Sequence, residues 1–136
     1  MGVDKAVLPI NGVPLIRILV DRLRNLTDEI YVSANSSEPY AFLEIPVVAD
    51  VYPRCGPLAG LHAAMLRSRR SLILALACDI PDVPWRFLSR LVRESSGVDA
   101  VVPVTSNGHI HPVCAVYSRS CLPAIERKLQ SGDYKL

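Results

Sequence analysis

One segment limits the possible folds of this sequence more than any other. Ser71–Cys78 is almost entirely apolar and runs directly into an aspartate, Asp79. An apolar run of this length without polar alternation is typical of a strand buried on both faces, which needs a layer of helices on each side of its sheet. The segment therefore predicts a central parallel strand that carries a carboxylate at its tip.

Helical and strand-like patterns alternate through the rest of the chain. Asn11-Gly12 predicts a turn. Leucines at helical spacing as far as Leu26 predict a helix after Pro14, and three more helices are predicted to start near Gly56, Trp85 and Cys121. Gly132 is a stop signal for the last of them. Further strands are predicted at Ile30–Ala34, Ile45–Ala49, Ala100–Val104 and Val113–Tyr117, the last two close enough to pair antiparallel. The order helix-β-β-α-β-α-β-β-α predicts an α/β domain of three layers with a mainly parallel sheet.

Composition and length narrow the class of protein. A chain of 136 residues favours one domain, and its 50% apolar and 21% charged residues favour a packed globule over a disordered chain. Fifteen Lys and Arg against thirteen Asp and Glu give a net charge of +2, which offers no bulk attraction for nucleic acid. Since no apolar run approaches the length of a membrane span and no secretory leader pattern is seen, we expect a cytoplasmic protein without a membrane anchor.

The cysteine and histidine pattern does not predict a metal centre. Cys55, Cys78, Cys114 and Cys121 form no C-x-x-C pair. His109 and His111 would share one face of a strand near Cys114, but no further ligand follows at a recognised spacing. We therefore favour structural roles for these residues, with Cys78 as a small apolar side chain of its strand.

Polar residues stand directly after three of the predicted strands. They are Asn35, Asp50 and Asp79. Ligands of open parallel sheets bind beyond the carboxyl ends of the strands, so these side chains are predicted to converge on one site. The alternative is that they end strands as turn formers or helix caps. For Asp79, a cation such as Mg²⁺ would compensate a partly desolvated carboxylate, and Asp82 is the better candidate for capping the next helix.

Two further features could bind anions. The segment Cys55-Gly56-Pro57-Leu58-Ala59-Gly60 forms a tight turn into a helix whose free backbone amides suit an anion, although Gly-Pro helix starts are common. Gly60 allows another backbone or a substrate to come close. Lys5, beside Asp4, is a solvated surface residue unless the preceding loop gives it a role.

Together these segments resemble one family. Residues 1–6, Met1-Gly2-Val3-Asp4-Lys5-Ala6, resemble the end of the motif L-A-G-G-x-S-x-R-M-G-x-D-K of the MobA-type molybdenum cofactor guanylyltransferases, and residues 8–15 match the segment that follows it. The other matching segments, in the family's order, are Val32-Ser33-Ala34-Asn35, Val47-Val48-Ala49-Asp50, Gly56-Pro57-Leu58-Ala59-Gly60, Ala77-Cys78-Asp79-Ile80-Pro81 and His111-Pro112. The resemblance covers essentially the whole chain.

The resemblance implies a fold and a reaction. The fold would be the three-layer, Rossmann-like nucleotide-diphospho-sugar transferase fold, with a mainly parallel sheet and an antiparallel strand. The reaction would transfer GMP from GTP to the terminal phosphate of molybdopterin and release pyrophosphate, with Mg²⁺ as the cofactor. GTP and molybdopterin would be the partners, along with transient contacts to proteins that mature molybdoenzymes.

It also implies roles for individual residues. Lys5 and Asp79 would be catalytic, Lys5 on the nucleotide phosphates and Asp79 on Mg²⁺ and the nucleotide. Nucleotide-binding positions would further include Asn35, Asp50, Gly56 and Pro57, and the molybdopterin side would include His111 and Pro112. No nucleophilic side chain is required, because the attacking group is a phosphate oxygen of the substrate.

The sequence departs from the family pattern at both ends. It has no L-A-G-G-x-S-x-R, the segment that supplies the family's central first strand, and it stops before the family's N-x-N-T-P-like stretch. We therefore expect residues 1–136 to be one nucleotidyltransferase domain that is incomplete at both ends. Either these are the ordered residues of a longer protein, or the start was assigned at an internal Met1, or, less favoured, the chain is a remnant. A missing central strand would leave a gap lined by unpaired backbone groups.

Alternative functions remain open at this point. A molybdopterin cytidylyltransferase or another nucleotidyltransferase would share the fold. A non-catalytic binding protein on the same fold would agree with the missing glycine-rich loop. An unrelated flavodoxin-like domain would account for the aspartates at strand ends, but not for Lys5, the Gly56–Gly60 turn and His111-Pro112 together.

Overall fold

The computed structural model describes residues 4–80 and 82–136. Met1, Gly2, Val3 and Pro81, which belong to two of the matching segments, lie outside the described residues. The helices are α1 (Leu15–Leu23), α2 (Gly56–Arg67), α3 (Trp85–Glu94) and α4 (Leu122–Ser131). The strands are β1 (Pro9–Ile10), β2 (Val13–Pro14), β3 (Val32–Ser33), β4 (Val47–Val48), β5 (Leu72–Leu76), β6 (Ala100–Val101) and β7 (Cys114–Ser118).

From α1 onward the elements follow the predicted order, although most strands are shorter than predicted. Helix α1 ends at Leu23, so Leu26 lies in the turn after it and not on the helix. A 3₁₀ turn at Glu38–Leu43 was not predicted, since it carries no helical periodicity. Helix α4 ends as predicted at Gly132, which adopts φ +80° and closes the helix in the left-handed conformation.

The turn at Asn11-Gly12 joins β1 and β2 into a small antiparallel hairpin. Asn11 has φ +50° and Gly12 has φ +81°. Two consecutive left-handed residues are the requirement of a type I′ turn, for which Asn-Gly is the preferred pair. Ile10 pairs with Val13 across this turn.

Strand directions agree with the predicted sheet. β3 pairs parallel with β4, and β7 pairs antiparallel with both β5 and β6, so that β5 and β6 run in the same direction. Within residues 4–80 and 82–136 these strands form two separate sheets. We call β3–β4 the two-stranded half and β5–β7–β6 the three-stranded half. The fold is therefore the predicted α/β fold with a single antiparallel strand, β7, in its main sheet.

Helices cover both faces of the three-stranded half. Ile73 and Ala75 of β5 pack on a cluster formed by α2, α4 and β7, while Leu74 and Leu76 pack on a cluster that includes Leu88 of α3. Alternate residues of one strand thus point to opposite helix layers. In the described part of the chain, no helix has the length and apolar character needed to cross a bilayer.

The prediction that Ser71–Cys78 is buried on both faces needs a correction. Every residue of β5 is only half-buried, although each side of the strand contributes to a core cluster. The reason is the edge of β5 opposite β7, which has no neighbouring strand among the described residues.

Substitution of Met65 by alanine should lower the free energy of unfolding by about 2–5 kcal/mol, because it opens a cavity in the core between α2, α4 and β7. Met65 is fully buried there, with 0% exposure. The neighbouring Leu66 on the same helix is 47% exposed, and its alanine variant should change stability by less than about 0.5 kcal/mol. Urea denaturation of both variants measures the difference, and equal effects would contradict this packing.

Candidate functional site

A cavity of about 570 Å³ lies between β3 and β5 and reaches the carboxyl ends of both strands. The structure brings together on its wall four of the residues that the sequence suggested for the site, Lys5, Gly56, Pro57 and Asp79. Asp4, Ser33 and Cys78 line the same cavity. This location is the one expected for a ligand site in an open parallel sheet.

The carboxylate of Asp4 fixes the turn that carries Lys5. Lys5 begins a 3₁₀ turn for which Asp4 is the N-cap, and Asp4 Oδ1 accepts a hydrogen bond of 3.0 Å from the backbone N–H of Ala6. The other oxygen, Oδ2, accepts a hydrogen bond from the hydroxyl of Tyr40. The Lys5 side chain is exposed and forms no ion pair with the rest of the described chain, so its ammonium group is available to an anionic ligand.

Tyr40, the hydrogen-bond partner of Asp4, was not predicted from the sequence. It lies in the unpredicted turn at Glu38–Leu43, where it is buried against Val32 and Ala6. Burial raises the pKa of the Tyr40 phenol to about 12, and the hydrogen bond to the Asp4 carboxylate acts in the same direction. The phenol therefore stays protonated and donates to Asp4 over the physiological pH range.

Asp79 has the character of a cation ligand without a complete protein cage. It is exposed at the end of β5, on the cavity wall, and has no hydrogen-bond or ion-pair partner among the described residues. No group of three metal-binding side chains occurs in residues 4–80 and 82–136. Mg²⁺ commonly takes one or two protein carboxylates and completes its shell with water and substrate phosphates. One free carboxylate on the wall of a cavity that is large enough for a substrate fits that mode of binding.

Neither aspartate near α3 caps that helix. The N-cap position is Pro84, without a side-chain cap. Asp82, the better candidate for a cap, is exposed, and its carboxylate lies 3.6 Å from the guanidinium of Arg22. The alternative that Asp82 caps this helix is therefore wrong: α3 starts at Trp85 as predicted, and Asp82 lies two positions before the N-cap, Pro84.

Asp50 is connected to the cavity through Ser33. The Ser33 hydroxyl donates to Asp50 Oδ1 over 3.1 Å, joining the ends of β3 and β4. A Cβ atom added at Gly60 would lie 2.5 Å from Ser33 Oγ and 3.8 Å from Asp50 Oδ1. Gly60 thus admits the close approach that the sequence predicted, and the group that approaches is the serine side chain.

The N-terminus of α2 forms another part of the wall. Gly56 adopts φ +65°, Pro57 stands in the first turn, and the N-cap Cys55 makes no side-chain cap. The first backbone amides of the helix are therefore not capped by that side chain and lie where Gly56 and Pro57 line the cavity. This geometry can contribute hydrogen-bond donors to an anion held by Lys5.

Four of the suggested residues, namely Asp50 and the three described next, lie outside the cavity lining. Asn35 is exposed beyond β3, whereas His111 and Pro112 precede β7. The Pro112 carbonyl accepts a hydrogen bond of 2.6 Å from the Tyr117 hydroxyl, and the His111 ring lies edge-on to the His109 ring at 4.9 Å. These contacts hold the loop against β7, and the next residue, Val113, reaches the cavity wall.

The cysteines near the site are not activated nucleophiles. Burial raises the pKa of the Cys78 thiol, and the nearby carboxylates of Asp79 and Asp4 raise it further. Burial also raises the pKa of the Cys114 thiol. Both side chains therefore remain neutral thiols at pH 7.

Replacing Gly60 by alanine should destabilise the protein by about 1–3 kcal/mol, because the new methyl group overlaps the Ser33 hydroxyl. Helix propensity alone would favour alanine by about 1 kcal/mol, so a net loss marks the clash. In a Ser33→Ala background the overlap with oxygen disappears, and the cost should become smaller. Urea denaturation of the four proteins of this double-mutant cycle measures the coupling, and strict additivity would contradict the contact.

The difference in stability between the wild type and Tyr40→Phe should shrink as the pH rises from 10 towards 12. The folded pKa is raised above the ordinary value of 10, so the Tyr40 contribution is complete below pH 10 and is lost as the pH passes the folded value of about 12. Denaturant titrations across this range measure it. Tyr117, whose pKa burial also raises to about 12, is retained in both proteins and cancels in the comparison. A difference that does not vary with pH would refute the role of the phenol.

Comparison with known proteins places this geometry in a family. The sequence model of one protein family, described as the MobA-like NTP transferase domain, matches residues 1–136 of this chain. A probable molybdenum cofactor guanylyltransferase of Carboxydothermus hydrogenoformans is 35% identical over 95% of this chain and 64% of its own length. Another, of Pelotomaculum thermopropionicum, is 32% identical over 100% of this chain and 66% of its own length. The chain thus spans slightly less than two thirds of the length of these relatives.

Solved structures share the fold. The molybdopterin-guanine dinucleotide biosynthesis protein A of Archaeoglobus fulgidus superposes with a TM-score of 0.80 at 24% identity, over 98% of this chain and 69% of that one. The 2-C-methyl-D-erythritol 4-phosphate cytidylyltransferase of Thermus thermophilus gives a TM-score of 0.74 at 17% identity, over 94% of this chain and 72% of that one. With the family model matched from end to end, this chain belongs to the MobA-like NTP transferase domain family.

Proposed function

We propose that this chain provides the nucleotide site of a molybdenum cofactor guanylyltransferase, which transfers GMP from GTP to the terminal phosphate of molybdopterin and releases pyrophosphate. The observation that carries this proposal is the cavity at the carboxyl ends of β3 and β5, where Lys5, Asp79 and the start of α2 meet. The names of the relatives support guanine as the base and the molybdenum cofactor as the acceptor.

The reaction needs positioning and charge neutralisation, and no covalent enzyme intermediate. An oxygen of the terminal molybdopterin phosphate forms a bond to the α-phosphorus of GTP. The bond from that phosphorus to the oxygen bridging to the β-phosphorus breaks, and pyrophosphate leaves with the electron pair. The work of the protein is to hold two polyanions in line and to offset their charge.

The charges on the cavity wall explain why a cation is part of the proposal. The charged side chains on the wall, within the described ranges, are Asp4, Lys5 and Asp79, which sum to one negative charge. Such a wall repels a triphosphate unless a cation is bound. We assign Mg²⁺ to the Asp79 carboxylate, where it would neutralise phosphate charge when bound.

The remaining groups have supporting roles in this proposal. The Lys5 ammonium donates to a phosphate oxygen, and the Asp4 carboxylate holds the Lys5 turn in place through Ala6 and Tyr40. The backbone N–H groups of the first turn of α2, next to Gly56 and Pro57, face the phosphates of GTP in this proposal.

The proposal assigns the nucleoside and the acceptor to opposite parts of the site. Asp50, connected to the cavity through Ser33, and Asn35 serve the nucleotide. His111 and Pro112 serve molybdopterin, supported by the position of Val113 on the wall. The four cysteines are free thiols, which suits the reducing cytoplasm that we propose as the location of the protein.

Asp79→Asn and Lys5→Gln should each lower the rate of pyrophosphate release by about 100-fold or more, because each removes charge that acts on the phosphates. The assay supplies the protein with Mg²⁺, GTP and molybdopterin. Asp79→Asn should also raise the Mg²⁺ concentration needed for half-maximal rate. Asp82→Asn is the matched control: it removes an exposed carboxylate close in sequence but outside the cavity lining, and its rate should match the wild type.

The same assay separates the competing functions. No pyrophosphate from the wild-type protein would reject the guanylyltransferase, and GTP binding without turnover would favour a binding protein on this fold. Faster turnover with CTP than with GTP would favour a cytidylyltransferase. An Asp79→Asn variant as active as the wild type would reject the assigned cation ligand.

A further inference from the structure

Arg54 adopts a backbone conformation that arginine rarely takes. Its φ is +63°, in the left-handed region, two residues before the start of α2. Gly56, at the other left-handed position of the same turn, has φ +65° and is the residue type that adopts this conformation without strain. A side chain with a Cβ atom is strained there. Glycine would therefore suit the backbone at position 54 better, and the arginine side chain requires an explanation beyond the turn.

No contact within the described ranges explains this side chain. Arg54 is exposed, and its guanidinium forms no hydrogen bond or ion pair with residues 4–80 or 82–136. The nearest acidic residue along the sequence is Asp50, whose carboxylate instead accepts a hydrogen bond from the Ser33 hydroxyl. The next residue, Cys55, is buried in the core cluster between α2 and α4 and anchors the segment. The arginine side chain is thus not needed to hold the turn in place.

Arg54 lies at the edge of the cavity described above. Gly56 and Pro57 line the cavity wall, whereas Arg54 itself lies outside the lining. The two residues of chain from Arg54 to Gly56 span at most about 7 Å. The three methylene groups and the guanidinium of an arginine can cover a gap of that size. The guanidinium can therefore reach a ligand in the cavity while the backbone stays at the edge.

The charge around the cavity gives this position its importance. The charged residues on the wall, within the described ranges, are Asp4, Lys5 and Asp79, and they sum to one negative charge. Residues 25–66, which include β3, β4 and the start of α2, contain Arg54 and no other Lys or Arg. Arg54 is thus the one cationic side chain that this stretch of the chain offers to an anionic ligand. Strained residues are typically retained where function requires them.

We propose that Arg54 is a further substrate-binding residue, whose guanidinium binds phosphate oxygens of a substrate in the cavity. In taking a phosphate compound as the ligand, we rely on the function proposed above. A guanidinium offers two parallel hydrogen bonds to a phosphate group, which the single ammonium group of Lys5 does not. The strained backbone at Arg54 is then retained for the sake of the side chain. GTP and molybdopterin both carry phosphate, and the experiment separates them.

Arg54→Gly should change stability and ligand binding in opposite directions. Loss of the backbone strain should raise the equilibrium constant for folding about threefold to tenfold, as measured by urea denaturation. In the presence of Mg²⁺, calorimetry should show Kd values for GTP and for inorganic triphosphate that are about tenfold higher or more, because a charged hydrogen-bonded contact is lost. A residue that served the fold alone would not weaken binding while its replacement strengthens the fold.

Three further variants separate charge, geometry and strain. Arg54→Lys keeps the charge but loses the planar group, so it should recover part of the affinity. Glu44, which is also exposed, has φ +56° and lies outside the cavity lining. Glu44→Gly should therefore stabilise the protein without weakening binding. Arg127→Gln removes an exposed charge of α4 outside the lining, and its Kd values should match the wild type.

The two sources of phosphate give different results. Weaker binding of both GTP and inorganic triphosphate by Arg54→Gly assigns the guanidinium to the nucleotide. A Kd that rises for molybdopterin alone assigns it to the phosphate of the acceptor. Unchanged Kd values for all three ligands would overturn the proposal, and so would a wild-type protein that binds none of them.

The outcome for Arg54 is independent of turnover, because every measurement is made at equilibrium. Binding that depends on Arg54 in a protein that releases no pyrophosphate would reject the proposed transfer reaction and leave the role of Arg54 standing. Pyrophosphate release at the wild-type rate by Arg54→Gly, with unchanged Kd values, would do the reverse.

Discussion

The antiparallel ladder between β5 and β7 is the interaction on which the rest of the structure depends. It aligns Leu72 with Ser118 and Leu76 with Cys114 in continuous register. The ladder presents alternate side chains to the α2–α4 layer and to the α3 layer, and so organises two of the three core clusters of the described chain. The strand β5 ends at Leu76, and Asp79, three residues further on, lines the cavity. Without this pairing, α3 and α4 would lose the strand residues on which they pack.

The site is assembled from parts of the chain that are held by different means. Lys5 depends on a local cap, because the Asp4 carboxylate binds Ala6 and Tyr40. Asp50 depends on the close approach of α2 to β3, which the absence of a side chain at Gly60 permits. Asp79 follows the strand that the β5–β7 ladder holds, and its neighbours Cys78 and Ile80 pack on two different core clusters. Within the described chain, no hydrogen bond or ion pair joins Lys5, Asp50 and Asp79 to one another.

Much of the fold could be predicted from the sequence, because its signals are local. Asn11-Gly12 gave the hairpin turn, Gly132 gave the end of α4, and the apolar runs gave the element order. The half-buried state of β5 could not be predicted, since it depends on what lies beside the strand and not on the strand itself. Tyr40 was missed for the same reason: its contact with Asp4 spans 36 positions and has no periodic pattern.

The site shows a similar division. The rule that ligands bind beyond strand ends located Asp79, and the Gly-Pro pattern located the start of α2. The position of Asn35 away from the cavity could not be read from its place after a strand, because the chain turns outward at that point. The sequence predicted that another group comes close to Gly60. It could not identify that group as Ser33, because the packing of α2, and not sequence spacing, brings the two residues together.

The division of the sheet has a consequence for how ligand binding and rigidity are linked. Ser33 belongs to the two-stranded half and Asp79 follows the three-stranded half, with the ties of Glu29 and Arg70 confined to the far end. A ligand that binds groups of both halves at the carboxyl ends of β3 and β5 would bridge the two halves and oppose their separation. Binding of such a ligand therefore makes separation of the two halves cost more free energy. The affinity for the ligand and the rigidity of the sheet are then thermodynamically coupled, so that a change in one changes the other.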